Sequence, residues 1–158
     1  MSETQLTQDA FVALLEPVVQ ELRELDLDDP QAAQAALSER LPLDDARIQA
    51  IREAACAARD GEWLLPREAG EIRFGRVAKD LAGYSVDAVL MHGPGPRHRH
   101  PQGEIDLCFA TDGEPRFDGQ PAGWVIYGKD SVHVPTVRDG EMLILYFLPG
   151  GEIEFLKG

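Results

Sequence analysis

Residues 93–117 read GPGPRHRHPQGEIDLCFATDGEPRF. The whole chain of 158 residues holds four histidines, and two of them stand here, one residue apart. Glycine and proline open the stretch, β-forming residues follow, and TDGEP closes it with turn chemistry. Read as a strand over 97–110 with a bend at Pro101, it sends alternate side chains to opposite faces. His98 and His100 then share a face, and Glu104 and Asp106 have the same parity. The spacing H-x-H-x-x-x-E aims two imidazoles and a carboxylate at one point. Each is a ligand for a first-row divalent metal, at about 2.0–2.2 Å. A later strand, SVHV, supplies His133. The set His98, His100, Glu104 and His133 would leave two positions of an octahedral ion open to substrate or water.

On either side the same texture continues. EIRFGRV, GYSVDAVLM, EIDLCFA, GWVIY, SVHV, EMLILYFL and EIEFL are short β-rich runs. GPGP, TDGEP, DGQPAG, RDG and PGG separate them as turns. Seven or eight strands so spaced predict a sandwich or barrel over residues 63–158.

Residues 1–62 have a different period. TQDAFVALLEPVVQELREL places Phe11, Leu14, Leu15, Val18, Val19, Leu22 and Leu25 on one helical face. Thr7 or Asp9 can cap it, and Pro17 should kink it or mark its true start. LDDPQAAQAALSERL predicts a second helix, with Asp29 as cap and Pro30 at the first position. LDDARIQAIREAACAARDG predicts a third, capped by Asp44 or Asp45 and stopped at Gly61. The expectation is a mainly β chain with an N-terminal segment of about three helices.

A net charge of −13 argues against nucleic-acid or anionic-membrane partners, which need a basic face. Residues 1–62 are the more acidic part, with five Lys and Arg against fourteen Asp and Glu. No apolar run approaches the roughly 20 residues of a membrane span. The N-terminus, MSETQLTQDA, is polar and has no basic region ahead of an apolar block, so a cytoplasmic location is expected. Cys56 and Cys108 form no CxxC pair, and both read as reduced, mostly buried thiols.

Gly93, His98, His100, Glu104, Gly113 and His133 together resemble the two motifs of the cupin superfamily. In the second motif, Gly128 stands where proline is usual and Asp130 where glycine is usual. FGRVAKD, YSVDAVLMHGPGPRHRHPQGEIDLCFATDGEPRFDGQPAGWVIYG, HVPTV and MLILYFLPGGEIEF look more closely like the 4-hydroxylaminobenzoate lyase family of small cupins. The likeness is densest over 72–156. It implies a jelly-roll barrel with an internal site, a frequent homodimer, and conversion of 4-hydroxylaminobenzoate to 3,4-dihydroxybenzoate with release of ammonia.

On that reading a divalent metal (iron, manganese, zinc or nickel) sits on His98, His100, Glu104 and His133. The alternative is that no metal binds and the imidazoles act as acid, base or hydrogen-bond donors. Asp106 reads as a base, a partner orienting a histidine, or a buried polar residue. Arg97, Arg99 and Arg116 are candidates to clamp the carboxylate of a small aromatic substrate, or are rim charges. Trp124, Tyr127, Tyr146 and Phe109 are candidates to stack on its ring, or are core. His92 reads as a surface loop residue. The same ligand spacing would serve a cupin dioxygenase or isomerase of small acids. A non-enzymatic ligand-binding cupin ranks behind both.

Overall fold

A computed structural model describes residues 7–59, 61, 63–70 and 72–156. The first six residues, which open the polar N-terminal stretch, and Glu71, which begins the first expected strand, lie outside the described residues.

The three helices start where their caps direct. Helix α1 (Gln8–Leu22) begins after Thr7, whose side chain accepts from the Ala10 N–H at 3.1 Å. Pro17 lies inside this helix and does not mark its start. Phe11, Leu15, Val18, Val19 and Leu22 form its buried face. Helix α2 (Pro30–Arg40) has Asp29 as cap and proline at the first turn; α3 (Ala46–Ala58) is capped by Asp45. An N-cap of this kind contributes about 1 kcal/mol.

Nine strands follow among the described residues: β1 (Arg67–Ala69), β2 (Ile72–Leu81), β3 (Tyr84–Met91), β4 (His98–His100), β5 (Glu104–Phe117), β6 (Gly123–Tyr127), β7 (Ser131–His133), β8 (Val137–Pro149) and β9 (Glu154–Phe155). They form two antiparallel sheets. Six strands run in the order β1-β2-β3-β8-β5-β6, and three in the order β7-β4-β9. This is a mainly β architecture, as the turn spacing predicts, and it is consistent with the jelly roll that the cupin resemblance implies. Among the described residues no ladder joins the two sheets, so the barrel is open along its seams.

The six-stranded sheet has two unlike faces. Leu107, Phe109, Leu145, Phe147 and Trp124 project to one side and share a single core with Phe11, Leu15, Ile48 and Ile51 of the helices. Each fully buried side chain of that size contributes about 1.5–3 kcal/mol. Val89, Cys108, Val125, Ile144 and Tyr146 project to the other side, toward the small sheet. The period of two along each strand makes this division.

The stretch expected as one strand over 97–110 is two, in different sheets. A turn at 101–103 separates β4 from β5. The Gly103 N–H donates to the His100 carbonyl at 3.2 Å. Gly103 takes φ +91°, and a Cβ there would lie 2.9 Å from Leu27 Cδ1 and 3.0 Å from the Tyr127 carbonyl oxygen. Only glycine meets both demands cheaply. The turn folds the histidines back over the carboxylates, so they meet across the interior. They do not share one strand face.

Candidate metal centre and its cavity

His98 and His100 come from β4, and His133 lies opposite His98 on β7. Glu104 and Asp106 come from β5, beneath them. His98, His100, Glu104 and Asp106 are all buried. One ligand atom from each of His98, His100, Glu104 and His133 lies within 4.8 Å of all the others. His98 Nε2 and His100 Nε2 each lie 3.2 Å from Glu104 Oε1, and His133 Nε2 lies 3.5 Å from Oε2.

Hydrogen bonds fix the tautomer of every ring. His98 Nδ1 lies 3.0 Å from the Pro96 carbonyl, which can only accept. His100 Nδ1 lies 2.9 Å from Ser131 Oγ, whose own proton goes to the Gly128 carbonyl at 2.6 Å. His133 Nδ1 lies 2.6 Å from Asp118 Oδ2. Each Nδ1 therefore carries a hydrogen, and each neutral ring turns an Nε2 lone pair inward. The Nε2 atoms of His98 and His133 are 3.1 Å apart. Two lone pairs at that distance repel unless a proton on His133 or a metal ion stands between them.

Two of the donor atoms, His100 Nε2 and Glu104 Oε2, are buried without a hydrogen-bond partner. Leaving such atoms unpaired costs about 1–3 kcal/mol each. Three imidazole nitrogens and a carboxylate, with an orphaned atom on His100 and on Glu104, fit a first-row divalent ion.

The charges follow from the same contacts. Burial opposes a charge on His133, but its hydrogen bond to Asp118 and the nearby Glu104 carboxylate outweigh it and lift its pKa to about 9. Burial lowers that of His100. Burial opposes the Glu104 carboxylate too, yet contacts with all three histidines hold it well below the usual range. Asp106 goes the other way, raised well above the usual range by burial and then by the Glu104 charge. Neither Asp106 oxygen has a hydrogen-bond partner.

Tyr127 and Tyr146 join the cluster. The Tyr127 ring centroid is 4.2 Å from that of His133, and its hydroxyl donates to Asp118. Tyr146 is directly opposite Asp106 on β8, with a buried, unpartnered hydroxyl and its ring 6.5 Å from His98. The remaining predicted residues are elsewhere. Trp124 and Phe109 are on the helix side of the sheet, where the indole N–H donates to the Leu41 carbonyl at 2.8 Å. Arg99 pairs with Asp130 and Glu154, Arg116 donates to the Gly119 carbonyl, and Arg97 is exposed. His92 is exposed as well.

Two residues the pattern did not single out, Asp118 and Ser131, set the rings of His133 and His100. Asp118 sits in the DGQPAG turn with φ +49°, and also accepts from the Thr136 N–H at 2.9 Å. Asp130 takes φ +62°, which explains why glycine is usual there: aspartate is among the few other residues that tolerate this conformation.

Beside the cluster opens a cavity of about 920 Å³. His98 and Tyr146 form one end; Phe74, Val89, Met91 and Phe155 give it apolar walls; Arg67, Arg76 and Asp87 also line it.

The family model described as PnbB, 4-hydroxylaminobenzoate lyase, matches residues 13–155. The chain belongs to the 4-hydroxylaminobenzoate lyase family. A 4-hydroxylaminobenzoate lyase of Pseudomonas putida is 31% identical over 83 residues, covering 50% of this chain and 47% of that protein. One from a Nocardioides strain is 29% identical over 91 residues, covering 52% and 54%. The matched stretch thus spans about half the length of each of these relatives. Among solved structures, a chain from crystal structures of the DMSP lyases RdDddP and RnDddQII aligns over 96% of this chain and all of its own. Its TM-score is 0.52 at 12% identity, a likeness of fold alone. An RmlC-like cupin protein from Ralstonia eutropha covers 60% of this chain and 66% of its own, with TM-score 0.42 and 14% identity.

Proposed function

We propose that the protein is a lyase that adds water to 4-hydroxylaminobenzoate, or a close hydroxylaminoaryl acid, and releases ammonia and 3,4-dihydroxybenzoate. The observation that carries this reading is a converged cluster of three histidines and one glutamate opening onto an apolar cavity, in a chain of this family. The reaction is redox-neutral overall. The N–O bond takes two electrons as it breaks, the ring gives up two, one water is taken up, and nitrogen leaves as ammonia.

His98, His100, Glu104 and His133 would hold a divalent metal, which as a Lewis acid polarises a bound oxygen and lowers the pKa of bound water. The protein supplies the rest. Pro96, Ser131 and Asp118 hold the imidazoles in one tautomer, so the inner nitrogens need no rearrangement during the reaction. Asp106, held protonated, is the acid that delivers a proton to the departing hydroxylamine oxygen. As a carboxylate it then takes one from the incoming water. Tyr146 borders that path with a hydroxyl free to donate. The apolar walls keep bulk water from the activated ring.

Elemental analysis of the purified protein, followed by ammonia release from 4-hydroxylaminobenzoate, tests the proposal. About one divalent ion per chain is expected. His100→Ala should lower turnover by at least about 1,000-fold while the thermal unfolding curve stays cooperative. Near-normal turnover in that variant, or oxygen consumption in place of ammonia release, would sink the reading.

A further inference from the structure

Arg97, Arg99 and Arg116 are absent from the cavity lining, whose guanidinium groups among the described residues are those of Arg67 and Arg76. Strand register shows where they sit. Residues directly opposite one another across a sheet share a face. One row runs Asp106, Tyr146, Asp87, Arg76 across β5, β8, β3 and β2. The next runs Cys108, Ile144, Val89, Phe74, Arg67 and ends on β1. Both rows begin under the histidines and end in a guanidinium. The first spans three strand spacings, roughly 14 Å between backbones. Between the ends of the second, Val89 and Phe74 line the cavity.

The two arginines are not equivalent. Arg76 Nε already donates to Asp87 Oδ1 at 2.8 Å, so its charge is largely answered. Arg67 makes no side-chain hydrogen bond or ion pair among the described residues. It is an unpaired guanidinium beside the apolar Phe74 and Val89 of the cavity wall, and a carboxylate is the partner that matches its paired donors.

We propose that Arg67 is the carboxylate-binding residue and fixes the substrate's orientation. This rests on the lyase reading above, whose substrate carries its two functional groups at opposite ends of a flat ring. With the carboxylate on Arg67, the ring lies on Phe74 and Val89, and the group para to it points at His98 and Tyr146. Benzoates with a small para nitrogen or oxygen substituent are the class that fits; amides and esters lack the charge to engage Arg67.

Isothermal titration of the full chain with 4-aminobenzoate and 4-aminobenzamide tests the assignment, since neither ligand turns over. The wild type should prefer the acid by about 10- to 100-fold, the range of a charge-assisted hydrogen-bonded pair. Arg67→Ala should erase most of that preference and leave amide affinity unchanged, while Arg67→Lys should restore part of it. An unchanged preference in Arg67→Ala would overturn the proposal, as would a loss that appears only in Arg97→Ala, Arg99→Ala or Arg116→Ala. Loss of preference in Arg67→Ala together with a wild type that releases no ammonia from 4-hydroxylaminobenzoate would uphold the binding residue and refute the reaction.

Discussion

The two faces of the six-stranded sheet are made by the same strands, one residue out of step, yet they obey different rules. On the helix face, polar groups are few and paired: Tyr84 donates to the Leu22 carbonyl at 3.2 Å, and Trp124 to that of Leu41. Among the described residues, the buried side-chain polar atoms without partners belong to the other side: Ser85, Glu104, Asp106 and Tyr146 on the inner face of the large sheet, and His100 facing them from the small one. A structure selected for stability alone pairs such groups or replaces them. Unpaired groups concentrated on one face mark where stability was given up for chemistry.

The difference can be broken most directly from the helix side. Phe147 is fully buried there, its ring 6.2 Å from that of Trp124, and truncation leaves a cavity between sheet and helices. Phe147→Ala should cost about 3–5 kcal/mol in chemical denaturation. At a temperature where the variant remains folded, its kcat should match the wild type. A large fall in kcat in fully folded Phe147→Ala would mean that the two faces are mechanically coupled and that the division is only geometric.

How much of this was legible beforehand follows the same division. The helix face is written in periods: Phe11, Leu15, Val18 and Leu22 at helical spacing, and Leu143, Leu145 and Phe147 alternating along β8. The caps Thr7, Asp29 and Asp45 were readable because a cap is local chemistry. The four candidate ligands were readable for the same reason, since three lie within seven residues and the fourth stands in a short strand. What the sequence hid is whatever depends on how the chain returns. Nothing near Asp118 announces that a turn fifteen residues before His133 will supply the acceptor for its ring. Arg97 and Arg99 looked apt because they flank the histidines, but they alternate with His98 along the strand and so face away. Arg67, thirty-one residues upstream of His98, reaches the cavity only through the β1–β2–β3–β8 register. Trp124 shows the same limit: its identity suits a stacking residue, and its parity, visible only once β6 is paired with β5, puts it on the far side.

Asp118 sharpens the comparison at a smaller scale. It is the anion behind His133, and Asp118→Asn keeps an acceptor while removing the charge. Metal affinity should fall by about 10- to 100-fold, read by competition with a chromophoric chelator. The fold should stay cooperative with a small loss of stability, because the single Asn oxygen can take either the His133 Nδ1–H that Oδ2 accepts or the Thr136 N–H that Oδ1 accepts, not both. Unchanged affinity would mean that the outer hydrogen bonds position the rings without tuning them.

Asp106 offers the finest test, because it should move stability and activity in opposite directions. Its carboxyl titrates well above the ordinary range, first because it is buried and then because Glu104 is charged. A group raised in this way favours the folded state below its unfolded pKa of about 4, and that advantage is lost as pH rises toward the folded value. Asp106→Asn cannot ionise and should lack this decline. The variant should therefore gain on the wild type as pH rises above about 4, in metal-free protein followed by denaturant titration. Its turnover should fall, since the amide can neither give the proton nor take it back. A variant less stable than wild type at neutral pH would show that Asp106 is a structural member of the inner face, satisfied there like the groups on the helix side, and that the cost assigned to this face is smaller than its unpaired atoms suggest.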